Sequence, residues 1–153
     1  LRYTRCQTKG GSLPVKPRIL IFDKDQAITQ QLFWTLCDYY DVVTANDLPT
    51  ALRRAATHEP VVAVLDLNSP ATFGSTDTGW RILEYVKSSV PKSRILGMTS
   101  EAVPETRAKY YLFGVDELLV KPFDTEQLLG FLRRLAPLRR LDGLESGAFK
   151  FCY

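Results

Sequence analysis

Short apolar runs alternate along the chain with longer segments in which apolar residues recur every three or four positions. The apolar runs are RILIFD at 18–23, VVTA at 42–45, VVAVLDL at 61–67, RILGM at 94–98 and ELLV at 117–120. Alternation of this kind is typical of βα units, in which helices cover both faces of a parallel sheet. The pattern predicts an α/β fold with a doubly wound, five-stranded parallel sheet. We expect the strand order 2-1-3-4-5, which is one of the two common orders for such sheets.

Residues typical of helix ends support this division of the chain. Asp25 and Asp47 precede the first and second helical segments and are predicted to cap them, and Asp124 begins a capping box before the fifth. Gly114 is predicted to end the fourth helix in a left-handed conformation. In the first helix the apolar spacing continues to Tyr39, which is therefore predicted to pack against the sheet.

Polar residues stand where four of the five predicted strands end, namely Asp23, Asp66, Thr99 and Lys121. We expect them to converge, because the carboxyl ends of parallel strands share one edge of the sheet. Asp66 lies in the most apolar strand, where a charge costs free energy. A charged residue at such a position indicates a function. Two carboxylates, a hydroxyl and an ammonium without histidine or cysteine suit a hard, oxygen-rich ligand, such as a phosphoryl group with Mg²⁺.

Composition narrows the class of protein further. The 153 residues match one domain, and a net charge of +3 is too small to indicate nucleic-acid binding. Cys6, Cys37 and Cys152 lack the spacing of a metal site or a disulfide framework, so a reducing, cytoplasmic location is expected. No apolar run approaches the roughly 20 residues that span a bilayer. Residues 1–17 are interpreted as a tail or linker, and residues 137–153 as a C-terminal extension or linker.

Four motifs surround the strand ends: DKDQ after the first strand, LDLNSP around Asp66, MTSEA after the fourth strand and VKPF after the fifth. Together they resemble the receiver domain of two-component response regulators, which has a flavodoxin-like, CheY-like fold. The resemblance covers residues 18–136. It implies that Asp66 is the phosphoacceptor and that a sensor histidine kinase or a phosphotransfer protein supplies the phosphoryl group. A receiver is not an enzyme beyond its own phosphorylation and dephosphorylation.

The same resemblance implies roles for the neighbouring residues. Asp23 and Asp66 would hold Mg²⁺, with the backbone carbonyl of Asn68 as a further ligand. Thr99 and Lys121 would sense and neutralise the phosphoryl group. The signal would pass to an output domain or a protein partner through the face formed by the fourth helix, the fifth strand and the fifth helix. Neither a membrane nor a nucleic acid is indicated as a partner of this chain.

The chain departs from the family where receivers usually carry a second acid after the first strand. Here that position is Lys24. Its positive charge disfavours a divalent cation nearby, so Mg²⁺ is expected to bind weakly or not at all. We hypothesise that the Lys24 ammonium reaches the Asp66 carboxylate and takes over part of the charge-balancing role of the metal. Its long stem also allows it to extend into solvent.

Two further departures lie later in the chain. Receivers commonly have a glycine soon after the proline of the LDLNSP motif, whereas here Gly79 follows Pro70 by nine residues. The extra residues, among them Phe73 and Asp77, form a lid, a partner contact or a tolerated surface insertion. Leu118 occupies the position in the fifth strand where many receivers carry a rotating aromatic side chain.

Two functions therefore remain open. The first is a phosphorylatable receiver, which the retained Asp66, Thr99 and Lys121 favour. The second is a degenerate receiver that acts as a phosphorylation-independent interaction module, with Lys24 locking the site. A flavodoxin-like cofactor protein fits poorly, because DKDQ would present carboxylates to an anionic cofactor and the G-x-G-x-x-G motif is missing.

Overall fold

The computed structural model of the protein describes residues 16–67, 77–100 and 103–137. Strands and helices alternate without exception within these residues, and the five strands form one parallel sheet of order β2-β1-β3-β4-β5. The predicted α/β class and strand order are both confirmed. The elements are β1 (Arg18–Phe22), α1 (Gln26–Leu36), β2 (Asp41–Ala45), α2 (Leu48–His58), β3 (Val62–Asp66), α3 (Thr78–Ser89), β4 (Arg94–Thr99), α4 (Pro104–Leu112), β5 (Glu117–Val120) and α5 (Thr125–Leu135).

Residues just outside the helices fix where three of them begin and where α4 ends. The side chain of Asp25 accepts a hydrogen bond from the Ala27 amide, and Asp47 caps α2 in a similar way. At the start of α5, Asp124 and Gln127 form both bonds of a capping box. Gly114 follows α4 with a φ of 103°, a left-handed conformation that glycine adopts without steric cost. These end signals were all predicted correctly.

The prediction for Tyr39 was wrong. Helix α1 ends at Leu36 and the chain turns over the next three residues, so that Tyr39 is 47% exposed and Tyr40 is buried instead. A turn breaks the helical spacing on which the prediction rested, and this shifts the inward position by one residue. Cys37, directly after α1, is buried as well.

The sheet separates two apolar layers, because successive side chains of a strand point to opposite faces. Ile19 and Ile21 of β1 face α1 and α5, whereas Leu20 and Phe22 face α2, α3 and α4. β3 is buried along its whole length, which agrees with its apolar sequence and its place at the centre of the sheet. Helices therefore pack on both faces of the sheet and hold the strand ends at its carboxyl edge in position.

The register of the strands brings their carboxyl ends to one level. Asp66 at the end of β3 pairs with Met98, and Thr99 at the end of β4 pairs with Val120. Asp23 and Lys121 directly follow β1 and β5, so the four predicted strand-end residues lie at the same edge.

The described residues also include residues 16 and 17 of the predicted tail and residue 137 of the predicted extension. The Lys16 ammonium donates to the Cys37 carbonyl, and the Pro17 carbonyl accepts from the Asp41 amide, so both residues contact the domain. The predicted segments 1–17 and 137–153 otherwise lie outside the described residues. Within the described ranges, no helix combines the length and the apolar character that crossing a membrane requires.

Candidate functional site

Three of the four strand-end side chains meet in one cluster. The Lys121 ammonium donates to Asp66 Oδ1 at 2.9 Å and lies 3.3 Å from Asp23 Oδ2. Both aspartates are almost fully buried, and the lysine side chain is about one quarter exposed. A single cation that follows β5 therefore bridges two buried carboxylates, one after β1 and one at the end of β3.

The backbone around Asp23 holds its carboxylate in place. Asp23 Oδ1 accepts a hydrogen bond from the Asp25 amide at 2.8 Å, which leaves Oδ2 directed toward Lys121. The side-chain amide of Asn46, just after β2, donates to the Asp23 carbonyl and to the Thr29 hydroxyl, both at 2.9 Å. This network joins the ends of β1 and β2 to the first turn of α1, so the orientation of Asp23 is set before any ligand arrives.

The electrostatics of the cluster are those of buried acids with a partial counter-charge. Burial raises the pKa of Asp66, the Lys121 hydrogen bond opposes this rise, and the charges of Asp23 and Asp77 add to it. Burial lowers the pKa of Lys121, but its bonds to the two aspartates outweigh this effect, and the pKa is raised overall. Lys121 is therefore held in its charged form, and the two carboxylates repel each other across it.

The start of α3 lies against the backbone of the site. Gly79 is buried in the first turn of α3, and a Cβ atom at this position would overlap the carbonyl oxygen of Asp66. Only glycine permits this approach without displacing β3 or α3. The longer loop places Gly79 later in the sequence than the corresponding glycine of other receivers. Gly79 nevertheless lies against the end of β3, at Asp66.

The structure does not place Lys24 on Asp66, and it has the other orientation that the long stem allows, toward solvent. The Lys24 side chain is 66% exposed, and its ammonium lies 4.0 Å from Asp77 Oδ1, at the start of α3. Lys121 is the lysine hydrogen-bonded to Asp66, so the carboxylate already has a cation from β5. An exposed ion pair at this distance adds little stability. Because Lys24 is exposed, its charge also avoids the free-energy cost of burial.

Thr99, the fourth strand-end residue, has a different partner. It is fully buried, and its hydroxyl lies 3.1 Å from the hydroxyl of Tyr110 on α4. The Tyr110 hydroxyl in turn donates to the Leu67 carbonyl at 3.1 Å, just after Asp66. The Tyr110 ring stacks on Trp80 of α3, with centroids 5.2 Å apart and planes 21° apart. Thr99 is thus linked to α3 and α4.

Sequence reasoning missed the contact of Tyr110 and the role of Asn46. Thr106, Tyr110 and Phe113 are spaced by four and three residues, which is a signal that one face of α4 turns inward with Tyr110 on it. Asn46 follows the second strand, as the polar site residues follow theirs, and this position was its only signal. Leu118, at the position of the family's aromatic residue, is buried in the same apolar layer as Tyr110.

The donor set suits a hard divalent cation. Asp23 and Asp66 offer carboxylate oxygens close enough to repel each other, and a cation would relieve that repulsion. The third predicted ligand, Asn68, lies outside the described residues, as do Pro70 and Phe73 of the long loop. Within the described ranges no group of three or more histidine, cysteine or acidic residues is arranged to hold a metal.

The family model for the response regulator receiver domain matches residues 19–133. The chain is 33% identical over 138 residues to the response regulator MprA of Mycobacterium leprae, covering 88% of this chain and 58% of that protein. It is 32% identical over 133 residues to the DNA-binding dual master transcriptional regulator RpaA of Synechocystis sp., covering 86% and 53%. The chain thus spans little more than half the length of these relatives.

Solved structures show the same architecture. The chemotaxis protein CheY4 of Vibrio cholerae superposes with a TM-score of 0.68 and is 32% identical, covering 78% of this chain and 98% of that one. The receiver domain of a response regulator from Methanospirillum hungatei superposes with a TM-score of 0.66 at 24% identity and shares the fold.

Proposed function

The chain belongs to the response regulator receiver family of two-component systems, and we propose that it acts there as a phosphorylatable switch with Asp66 as its phosphoacceptor. Receivers are signalling domains rather than classical enzymes. The observation that carries the proposal is the bridge from Lys121 to Asp66 and Asp23, because it keeps two buried carboxylates in one place at the carboxyl edge of the sheet.

The reaction would transfer a phosphoryl group to a carboxylate oxygen of Asp66. The oxygen attacks phosphorus, and the bond to the nitrogen or oxygen of the donor breaks with its electron pair leaving on the donor. A histidine kinase, a phosphotransfer protein or a small phosphodonor would fill the donor role. The attacking carboxylate must be ionised, and the Lys121 hydrogen bond favours that form against the effect of burial.

Lys121 and Thr99 would act on the phosphoryl oxygens. The Lys121 ammonium lies beside the nucleophile and would offset the negative charge that collects on those oxygens during transfer. Thr99 ends the strand next to β3, and its hydroxyl would donate to a phosphoryl oxygen after a change of side-chain orientation. The roles of both residues are proposals that rest on this placement.

Receiver domains typically bind Mg²⁺ at the phosphorylation site. Asp23 and Asp66 are the residues that would hold the ion here, and when bound it would neutralise phosphoryl oxygens. Lys24 replaces an acid at the mouth of the site and is expected to weaken that binding. Because its ammonium lies beside Asp77 and not on Asp66, the carboxylates that would receive the ion are not covered by Lys24.

The proposed output surface is the face of α4, β5 and α5. Three apolar residues in α4 or directly before it are exposed, and Leu112 is the most exposed of them at 80%: the set is Val103, Tyr111 and Leu112. An ion pair of 3.7 Å between Arg134 and Glu117 joins α5 to β5. A partner protein or an output domain would bind this face in one state of Asp66 and not in the other.

A second candidate function is a degenerate receiver that binds its partner without phosphorylation. The observation that favours it is the lysine at position 24, together with the internal cation that already balances Asp23 and Asp66. In this case Lys121 would hold the site permanently in one conformation.

Mass spectrometry after incubation with a small phosphodonor, with and without Mg²⁺, distinguishes the two functions. Addition of one phosphoryl group, lost in Asp66→Asn, supports the proposal. The matched control is Asp41→Asn, which removes an exposed aspartate at the opposite end of the sheet and should leave the addition unchanged. No addition to the wild-type protein under any condition, with no beryllofluoride bound either, would favour the degenerate receiver.

A further inference from the structure

The hydrogen bonds of Tyr110 fix which group donates to which. A tyrosine hydroxyl has one proton, and a carbonyl oxygen can only accept. The bond to Leu67 therefore uses the Tyr110 proton, and Thr99 must be the donor in the bond between the two hydroxyls. In this structure the proton of Thr99 is thus directed toward α4.

The surroundings keep this arrangement in place. Thr99 and Tyr110 are both fully buried, so bulk water cannot readily replace either partner. Trp80 stacks on one side of the Tyr110 ring, and Phe113 packs edge-on against Trp80. The ring is therefore held between α3 and α4, with its hydroxyl in reach of the end of β4.

We propose that Tyr110 is a positioning residue that holds Thr99 away from Asp66, and that a phosphoryl group on Asp66 competes with Tyr110 for the Thr99 hydroxyl proton. The inference rests on the proposed function of Asp66. A threonine has one hydroxyl proton, so donation to the phosphoryl oxygen ends donation to Tyr110. The charged acceptor forms the stronger bond, which gives the direction of the exchange.

This competition couples the site to α4. When Thr99 turns away, Tyr110 loses a buried donor while it keeps its bond to Leu67, and the restraint between β4 and α4 is weakened. Leu118 has no polar atom with which to take part in such an exchange. The coupling therefore runs through a helix residue that lies next to the exposed Tyr111 and Leu112.

Tyr110→Phe tests the competition through the affinity for beryllofluoride, an analogue of the phosphoryl group, measured by calorimetry with Mg²⁺ in excess. The variant removes the acceptor of the Thr99 proton only in the free state, since Thr99 bonds the ligand in the bound state. Loss of the Leu67 bond affects both states and cancels. We expect beryllofluoride to bind about twofold to tenfold more tightly, which is the effect of one hydrogen bond.

Two controls separate this role from a purely structural one. Tyr39→Phe removes an exposed hydroxyl from a tyrosine that follows α1 and should leave the affinity unchanged. In a Thr99→Ala background, Tyr110→Phe should also have no effect, because the competition needs the Thr99 hydroxyl. Three-bond couplings to the Thr99 methyl group, measured by NMR, should show a second χ1 rotamer in Tyr110→Phe even without ligand.

The outcomes for the two proposals differ. A wild-type protein that binds no beryllofluoride would overturn the function proposed for Asp66 and this inference with it. Binding that is equally tight, or weaker, in Tyr110→Phe would overturn only the role of Tyr110. An unchanged χ1 of Thr99 in the unliganded variant would do the same, even if the variant were less stable.

Discussion

Lys121, directly after β5, donates a hydrogen bond of 2.9 Å to Asp66 at the end of β3. These strands are not neighbours in the sheet, since β4 lies between them. The bond therefore depends on the length of the lysine side chain, which spans one strand at the carboxyl edge. Asp66 is buried and therefore has little contact with water, which would otherwise stabilise its charge. The Lys121 ammonium supplies the opposite charge instead.

Replacement of Lys121 by methionine should reduce stability in a pH-dependent way. Without the lysine, the pKa of Asp66 rises further above its ordinary value of 3.8. A raised pKa of an acid in the folded state means that stability is retained below the ordinary pKa and is lost as the pH rises through the folded value. We expect a loss of about 2 kcal/mol at neutral pH and a smaller loss in acid, measured by urea unfolding. The exposed Lys92→Met is the control, and an equal loss at both pH values would contradict the prediction.

Replacement of Lys24 by aspartate should strengthen Mg²⁺ binding. The change removes a positive charge from the mouth of the site and restores an acid where other receivers have one. We expect at least about a tenfold gain in affinity, measured by calorimetry or by Mn²⁺ binding. Lys92→Asp makes the same change of charge on an exposed turn between α3 and β4, at the other end of the sheet, and should have little effect. If the two variants bind the metal equally, the role given to position 24 is wrong.

Two glycine-to-alanine substitutions should have opposite effects. In Gly79→Ala the new methyl group overlaps the Asp66 carbonyl, so a loss of about 2 kcal/mol or more is expected, with reduced phosphorylation of the displaced Asp66. In Gly130→Ala, inside α5, no atom lies within contact distance, and the variant should gain roughly 0.5–1 kcal/mol. Thermal unfolding of both variants measures these changes. A stable Gly79→Ala protein with unchanged phosphorylation would show that the close approach has no consequence.

Tyr40 offers a test at alkaline pH. Its hydroxyl is buried and, among the described residues, has no hydrogen-bond partner, so Tyr40→Phe should gain about 1 kcal/mol of stability. Burial raises the pKa of Tyr40 from 10.0 to about 12, and the charge of Arg133 only partly offsets this. Between these values the unfolded chain loses a proton that the folded one keeps, so stability falls as the pH rises. The variant should lack this part of the fall, and Tyr39→Phe, which is exposed, should retain it.

The sequence was sufficient for the fold and for the placement of the strand-end residues, for one physical reason. Every strand of a parallel sheet ends at the same edge, so the position of a residue relative to its strand determines where it lies in space. Asp23, Asp66 and Lys121 were found in this way, and their contacts follow from the strand order. Local signals such as the Asp124 capping box were equally reliable, because their partners are only three residues away.

The sequence was insufficient where the outcome depends on long side chains or on packing between helices. Lys24 has several rotatable bonds, and its direction depends on Asp77, which is more than 50 residues away in the chain. The contact between Tyr110 and Thr99 requires α4 to lie at a particular angle to β4, which periodicity does not specify. Tyr39 was assigned inward because helical spacing gives no warning of a turn one residue after a helix ends.

The stack of Trp80 on Tyr110 also gives the protein an internal optical reporter. The chain has two tryptophans: Trp80 is buried beside the ring that contacts Thr99, whereas Trp34 on α1 is 61% exposed. A water-soluble quencher would reduce the fluorescence of the exposed Trp34 much more than that of the buried Trp80. The remaining fluorescence would follow the ring of Tyr110 in real time, without a label and without any change to the sequence.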